Sequence, residues 1–170
     1  NPDSPYALSK KISEDYINYY HKNCGLNFTL LRYSNIYGHR QNPNGEAGVI
    51  AIFINLLLQN NDVRINGDGE QVRDYLFVDD VVEANNLALT KGDNNFFNIG
   101  TGIPTSVNQI YNKIKQITNS KGNSIYLSKK EGDILKSYLS YNKAKIILGW
   151  TPKINLDEGL KLTCEWFKNN

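Results

Sequence analysis

At 170 residues and a net charge of +2 at pH 7, the chain is long enough for one compact domain with a real core, and too weakly basic to argue for nucleic acid or an anionic membrane surface. Its two cysteines, Cys24 and Cys164, have neither metal-ligand spacing nor the number needed for a disulfide framework, which points to a reducing cytoplasm and no metal site. No apolar run approaches the roughly 20 residues of a membrane helix, no signal peptide opens the chain, and with no Met present Asn1 is not a translation start, so a carboxy-terminal part of something longer is expected.

Taken in order, the elements alternate between helical and strand periods. Residues 5–23 read as a helix with Ser4 as N-cap, Pro5 at its first position, Gly25 as terminator and an apolar stripe of Leu8, Ile12, Tyr16 and Tyr19. Residues 28–33 form a nearly continuous apolar strand of the buried parallel kind. A loop rich in Asn, Pro and Gly leads to an apolar helix over 49–58. Residues 63–65 and 71–78 look like two strands around the turn Gly67-Asp68-Gly69. Asp79-Asp80 is expected to cap a helix reaching Leu89, and 96–99 is another short strand. Thr105 or Ser106 caps a helix over 107–117 with Ile110, Ile114 and Ile117 on one face, before a strand at 125–127 and helices at 143–148 and 156–167. Alternating strands and helices with short loops make an α/β domain.

The chemistry begins at Tyr6 and Lys10, which a spacing of four places on one helical face. An ammonium held there favours the phenolate and draws a tyrosine pKa down from about 10, so the phenol can exchange a proton with a sugar or alcohol hydroxyl. The spacing alone is cheap: Tyr111/Lys115, Tyr126/Lys130 and Tyr141/Lys145 repeat it. The segments that follow Tyr6 must decide.

Those segments are Tyr6-Ala7-Leu8-Ser9-Lys10, Leu31-Arg32-Tyr33-Ser34-Asn35-Ile36-Tyr37-Gly38, Gly67-Asp68-Gly69-Glu70-Gln71-Val72-Arg73-Asp74-Tyr75, Asp79-Asp80-Val81-Val82, Asn98-Ile99-Gly100-Thr101-Gly102, Gly132-Asp133 and Leu148-Gly149-Trp150-Thr151-Pro152. In that order, and over essentially the whole chain, they resemble the extended short-chain dehydrogenases, the NAD-dependent epimerases and dehydratases. Residues 40–53, beginning at Arg40, look most like the UDP-glucose 4-epimerase branch. The resemblance implies the last part of a doubly wound, Rossmann-like parallel sheet (about 1–47 and 79–105) with a small mixed α/β substrate-binding subdomain (about 48–78 and 106–170). It implies a tyrosine acid/base, a lysine on the nicotinamide ribose, tightly held NAD and a UDP-sugar whose C4 hydride leaves and returns. A homodimer built on the first helix is also implied.

Carried over residue by residue, Tyr6 and Lys10 are the catalytic pair and, with Tyr33, touch the cofactor. Asn35 contacts the diphosphate, or forms an Asx turn at a strand end. Val49 contacts the substrate, and Arg64-Ile65-Asn66 border the uracil, which is read through backbone groups. Arg73 grips the diphosphate bidentately, or pairs with Asp74. Lys130 stands where the family carries a second arginine, keeping the charge but losing the planar fork, with Lys129 able to share the role. Asp133 holds the uridine ribose, or forms a turn. Ser137 is a small residue at a sugar-pocket position, which admits UDP-N-acetylglucosamine as well as UDP-glucose; otherwise it heads a surface strand.

No glycine-rich dinucleotide turn follows a leading strand, and Gly100-Thr101-Gly102 is too short to serve. This chain alone is therefore expected to bind no NAD stably and to be inactive without an amino-terminal half. Two other functions stay open: part of a nucleotide-sugar 4,6-dehydratase or decarboxylase, and a non-catalytic UDP-sugar-binding module.

Overall fold

The structure is a computed structural model in which residues 2, 4–44, 48–129, 132 and 134–170 are described. Helix α1 (Pro5–Cys24) leads into β1 (Thr29–Tyr33) and β2 (Asn35–Tyr37), followed by α2 (Val49–Leu58) and β3 (Val63–Asn66). Next come β4 (Val72–Arg73), β5 (Tyr75–Phe77), α3 (Val78–Ala88) and β6 (Asn95–Ile99). The chain closes with β7 (Thr105–Ser106), α4 (Val107–Thr118), β8 (Ser124–Leu127), β9 (Lys136–Ser137), α5 (Asn142–Ile147) and α6 (Leu156–Asn169). The α/β class is as expected from the alternating periods.

Among the described residues, three two-stranded sheets are parallel: β1 with β6, β2 with β5, and β3 with β8. A fourth sheet has the order β7-β4-β9, antiparallel on one side and parallel on the other. Two apolar clusters hold these together. The larger joins α2, α4 and α6 over β3 and β5 through Ile50, Phe53, Ile54, Leu57, Ile110 and Ile114. The smaller joins β6, α3 and α5 through Leu76, Ala84, Phe97, Ile99, Leu148 and Trp150.

Local chemistry accounts for the helix ends. Ser4 accepts from the Ala7 amide, Pro5 takes the first turn, and Gly25 closes α1 in the left-handed region at φ 69°. Ser106 and Gln109 form a reciprocal capping box at α4, and Asn155 caps α6.

Two expectations need correction. The strand expected over 71–78 is broken at Asp74 into β4 and β5, and Val78 already belongs to α3. Asp79 and Asp80 do not cap α3, whose N-cap is Phe77 without a side-chain bond. Asp80, 2% exposed, instead accepts from the Lys153 and Ile154 amides (3.0 and 3.1 Å), and its carbonyl accepts from Trp150 Nε1 (2.9 Å). A buried carboxylate must be satisfied by donors, and the loop after Trp150 supplies them. Asn35 follows the carboxyl end of β1 as expected, and it also opens β2.

That last point sets the architecture of the site. At Ser34 the chain stops pairing with β6 and starts pairing with β5: the Ser34 amide donates to Ile99 O and the Asn35 amide to Asp74 O, each at 2.9 Å. Parallel neighbours diverging at one residue open a crevice at the carboxyl end of β1, the kind of switch point where open α/β sheets place ligands.

Candidate active-site cleft

A cleft of about 360 Å³ occupies that crevice, lined by Tyr6, Tyr33, Ser34, Asn35, Ser137, Tyr138 and Leu139. Residues far apart in sequence are thus brought together: the first turn of α1, the β1–β2 switch and the end of β9. Tyr6, Tyr33, Asn35 and Ser137 were anticipated as site residues from sequence; Ser34, Tyr138 and Leu139 were not. Ser34 lies inside the Tyr33-Ser34-Asn35 run, and Tyr138 directly follows Ser137, so chain adjacency was the available signal.

The Tyr6 ring is open, at 72% exposure, and Lys10 Nζ lies 5.3 Å from its centroid in cation–π contact. Lys10 is not among the residues lining the cleft. Helix α1 reaches this position on a narrow footing. Ala7, Glu14, Ile17 and His21 are its half-buried residues and no residue of the helix is buried. Glu14 and Arg32 of β1 form a bidentate ion pair, which holds the Glu14 carboxyl below its ordinary range and the guanidinium above its own. His21 meets Phe28 edge-on at 5.4 Å. On the other side of the cleft, the Tyr33 hydroxyl donates to Asn85 Oδ1 at 2.9 Å, and Asn85 is itself tied to Val81 O at 2.8 Å. Helix α3 therefore sets the ring position of Tyr33.

Asp74, 1% exposed, organises the fork between β4 and β5. Oδ1 accepts from Thr101 N (2.9 Å) and Thr101 Oγ1 (2.6 Å); Oδ2 accepts from Gly102 N (3.0 Å) and Leu139 N (3.2 Å). Four donors compensate the buried charge. The Gly100-Thr101-Gly102 turn is thereby explained without a dinucleotide: a Cβ at Gly100 would lie 2.5 Å from Asp74 Oδ2, and Gly102 adopts φ 73°. The Arg73 guanidinium, rather than turning to Asp74, donates to Val72 O and Ile134 O.

The remaining candidates are distributed around this centre. Ser137 is paired in register with Arg73, so the two sit side by side on the β4–β9 ladder. On β3, Arg64 and Asn66 are exposed and Ile65 is buried; β8 pairs along one edge, and among the described residues no strand pairs along the other. Asn66 O accepts from Gln71 Nε2 at 3.0 Å. Val49, half-buried, opens α2 behind Gly48, which offers no side-chain cap. Val49, Arg64, Ile65, Asn66 and Arg73 are not among the residues that line the cleft. Lys130 and Asp133 lie outside the described residues, as does the 45–47 stretch of the loop before α2. Among the described residues no cluster of His, Cys, Asp and Glu could hold a metal ion, and no helix is long and apolar enough to cross a membrane.

Against this geometry stand the comparisons with known proteins. The model of the NAD dependent epimerase/dehydratase family matches residues 1–100. A putative UDP-glucose 4-epimerase of Methanocaldococcus jannaschii is 48% identical over 170 residues, covering 100% of this chain and 55% of that protein. The crystal structure of a Thermotoga maritima UDP-glucose 4-epimerase with UDP-glucose superimposes with a TM-score of 0.98 at 52% identity, over 99% of this chain and 55% of that one. A UDP-N-acetylglucosamine 4-epimerase from Methanobrevibacter ruminantium M1, in complex with UDP-N-acetylmuramic acid, gives a TM-score of 0.94 at 32% identity, over 99% of this chain and 55% of that one. The chain thus spans about half the length of the relatives it matches.

Proposed function

Since this chain belongs to the NAD-dependent epimerase/dehydratase family, we propose that it is the carboxy-terminal part of a UDP-sugar 4-epimerase interconverting UDP-glucose and UDP-galactose. The observation that carries this reading is the convergence of Tyr6, Tyr33, Asn35 and Ser137 on one cleft at the β1–β2 switch. Tyr6 exchanges a proton at its Oη with the sugar 4-hydroxyl, which its exposure toward the cleft permits. Lys10, held against the Tyr6 ring, supplies the neighbouring cation.

The residues present fit NAD at its nicotinamide end, because Tyr6 and Tyr33, both exposed, line one open cleft. Lys10 would hold the ribose and Tyr33 would border the ring. When bound, NAD supplies the hydride acceptor and donor at sugar C4. Asn35 and Arg73 bind the diphosphate, the backbone of Arg64-Ile65-Asn66 receives the uracil, and Val49, Lys130 and Asp133 complete the nucleotide site. A firm grip on the nucleotide leaves the sugar free to turn and present its other face. Ser137, small and exposed, admits an N-acetylated sugar.

The intact protein is read as a cytoplasmic homodimer whose amino-terminal half provides the cofactor floor, the exposed Leu8, Ile12, Tyr16 and Tyr19 of α1 meeting a second copy. The test is turnover by the full-length protein on UDP-glucose and UDP-N-acetylglucosamine side by side. Activity on both supports the reading; activity on UDP-glucose alone removes the Ser137 argument; UDP binding without turnover on either removes the epimerase.

A further inference from the structure

Several walls of the cleft trace back to one buried residue. The Asp74 carbonyl accepts from the Asn35 amide at 2.9 Å, and its Oδ2 accepts from the Leu139 amide at 3.2 Å. Its chain neighbour Arg73 is paired in register with Ser137. Asn35, Ser137 and Leu139 all line the cleft, although they come from β2 and from the end of β9. The same carboxylate also holds the turn after β6: Oδ1 takes both donors of Thr101, and Oδ2 takes the Gly102 amide.

Gly100 shows how tightly this joint is closed. A Cβ built there would lie 2.5 Å from Asp74 Oδ2, and 3.2 Å from both Leu139 Cβ and Ser34 Cβ. The bare glycine thus sits where the carboxylate meets two residues of the cleft lining, and a side chain there must push something aside. Tyr6, by contrast, reaches the cleft from a helix with no buried residue. The firmly held side of the cleft is the one that Asp74 ties down.

We propose that Asp74 is a positioning residue whose carboxylate fixes the Ser34–Leu139 wall, so that a bound sugar is held in place for proton exchange with Tyr6. This rests on the reading of the cleft as the sugar site. Each carboxylate oxygen accepts two hydrogen bonds. An amide of the same shape turns one oxygen into a donor, and a pair of donors then faces it. The wall shifts, and a shift of about 1 Å between reacting groups is enough to cost up to about a hundredfold in rate.

The experiment compares full-length wild type with Asp74→Asn, Gly100→Ala and Asp80→Asn, measuring kcat on UDP-glucose, affinity for UDP and thermal melting. Gly100→Ala disturbs the same joint without removing a charge, and decides the matter if Asp74→Asn fails to fold. Asp80→Asn is the control: its carboxylate is as deeply buried, but its donors Lys153 and Ile154 are not among the cleft-lining residues. Asp74→Asn and Gly100→Ala are expected to lower kcat by about tenfold to a hundredfold with UDP affinity within about threefold of wild type. Asp80→Asn is expected to lower the melting temperature and leave kcat within about twofold. Unchanged kcat in both joint variants would overturn the positioning role alone, as would an equal kcat loss in Asp80→Asn or a loss of UDP affinity in step with kcat. Absence of wild-type turnover on UDP-glucose would overturn the reading beneath it, and the positioning role with it.

Discussion

Helices α1 and α4 carry the same Tyr-x-x-x-Lys spacing and treat it in opposite ways. On α4, Tyr111 is 7% exposed, its hydroxyl donates to Gly122 O at 3.1 Å, and Lys115 Nζ lies 3.0 Å from the phenol oxygen. On α1, Tyr6 is 72% exposed, and Lys10 rests on its ring, 5.3 Å from the centroid. The phenol of α4 has both partners inside the protein and serves the fold. That of α1 faces a cleft and is available to something else. A motif's chemistry lies in what surrounds it: identical spacing yields a structural clasp where the helix is buried and a candidate acid/base where it is not.

The sharpest way to break this contrast is to remove each hydroxyl. In the full-length protein, the proposed function predicts that Tyr6→Phe lowers kcat by about 100- to 10,000-fold with an unchanged melting profile. Tyr111→Phe should leave kcat within about twofold while costing roughly 1 kcal/mol in urea denaturation, the usual net value of a buried hydrogen bond. Equal effects of the two on turnover would erase the distinction.

Next in size comes burial. Ile114, 0% exposed on α4, packs against α2 and α6, so Ile114→Ala should cost about 2–5 kcal/mol by loss of transfer energy plus a cavity. Ile12 on α1 is 44% exposed, and Ile12→Ala should cost less than about 0.5 kcal/mol in this chain. A larger loss would mean that α1 is covered in solution.

High pH probes the cluster that α4 belongs to. Burial pushes the Cys164 thiol up to about 11 and the Tyr75 phenol up to about 12, and it also raises the Tyr37 phenol, with nearby Asp80 adding to the Tyr37 shift. The folded pKa values lie above the unfolded ones, so the unfolded chain releases protons first. Stability is therefore full below about pH 9 and falls as pH rises through 9 to 12, by at most about 1.4 kcal/mol per pH unit for each group. Urea midpoints measured across this range should show the decline, and Cys164→Ala should remove its first part.

The smallest expected effect concerns the caps. Ser106→Ala breaks a reciprocal capping box and should cost about 1 kcal/mol. Ser4→Ala removes one bond from a helix with no buried residue, and should appear only as faster amide exchange in the first turn of α1, with the global midpoint unmoved.

Much of this molecule was legible along the chain. Caps, glycine terminators and hydrophobic periods placed α1, α2, α4 and α6 within a residue or two, because those signals act between near neighbours. The order of the quoted motifs named the family for the same reason. What the chain alone could not show were partnerships across it. Asp80 read as a helix cap because capping is local, yet its carboxylate serves amides more than 70 residues away. Asp74 read, as one alternative, as a partner for the Arg73 next to it, but its four donors come from two distant loops. The break between β4 and β5 follows from that demand, since a buried carboxylate recruits whatever donors the fold brings within reach. The apolar stripe of α1 promised a buried face, yet Leu8, Ile12, Tyr16 and Tyr19 are exposed among the described residues. Sequence determined which residues could do chemistry and which segments would be helix or strand. Only the tertiary structure decided which tyrosine stayed open, because burial and hydrogen-bond partners belong to the packed molecule rather than to any stretch of it.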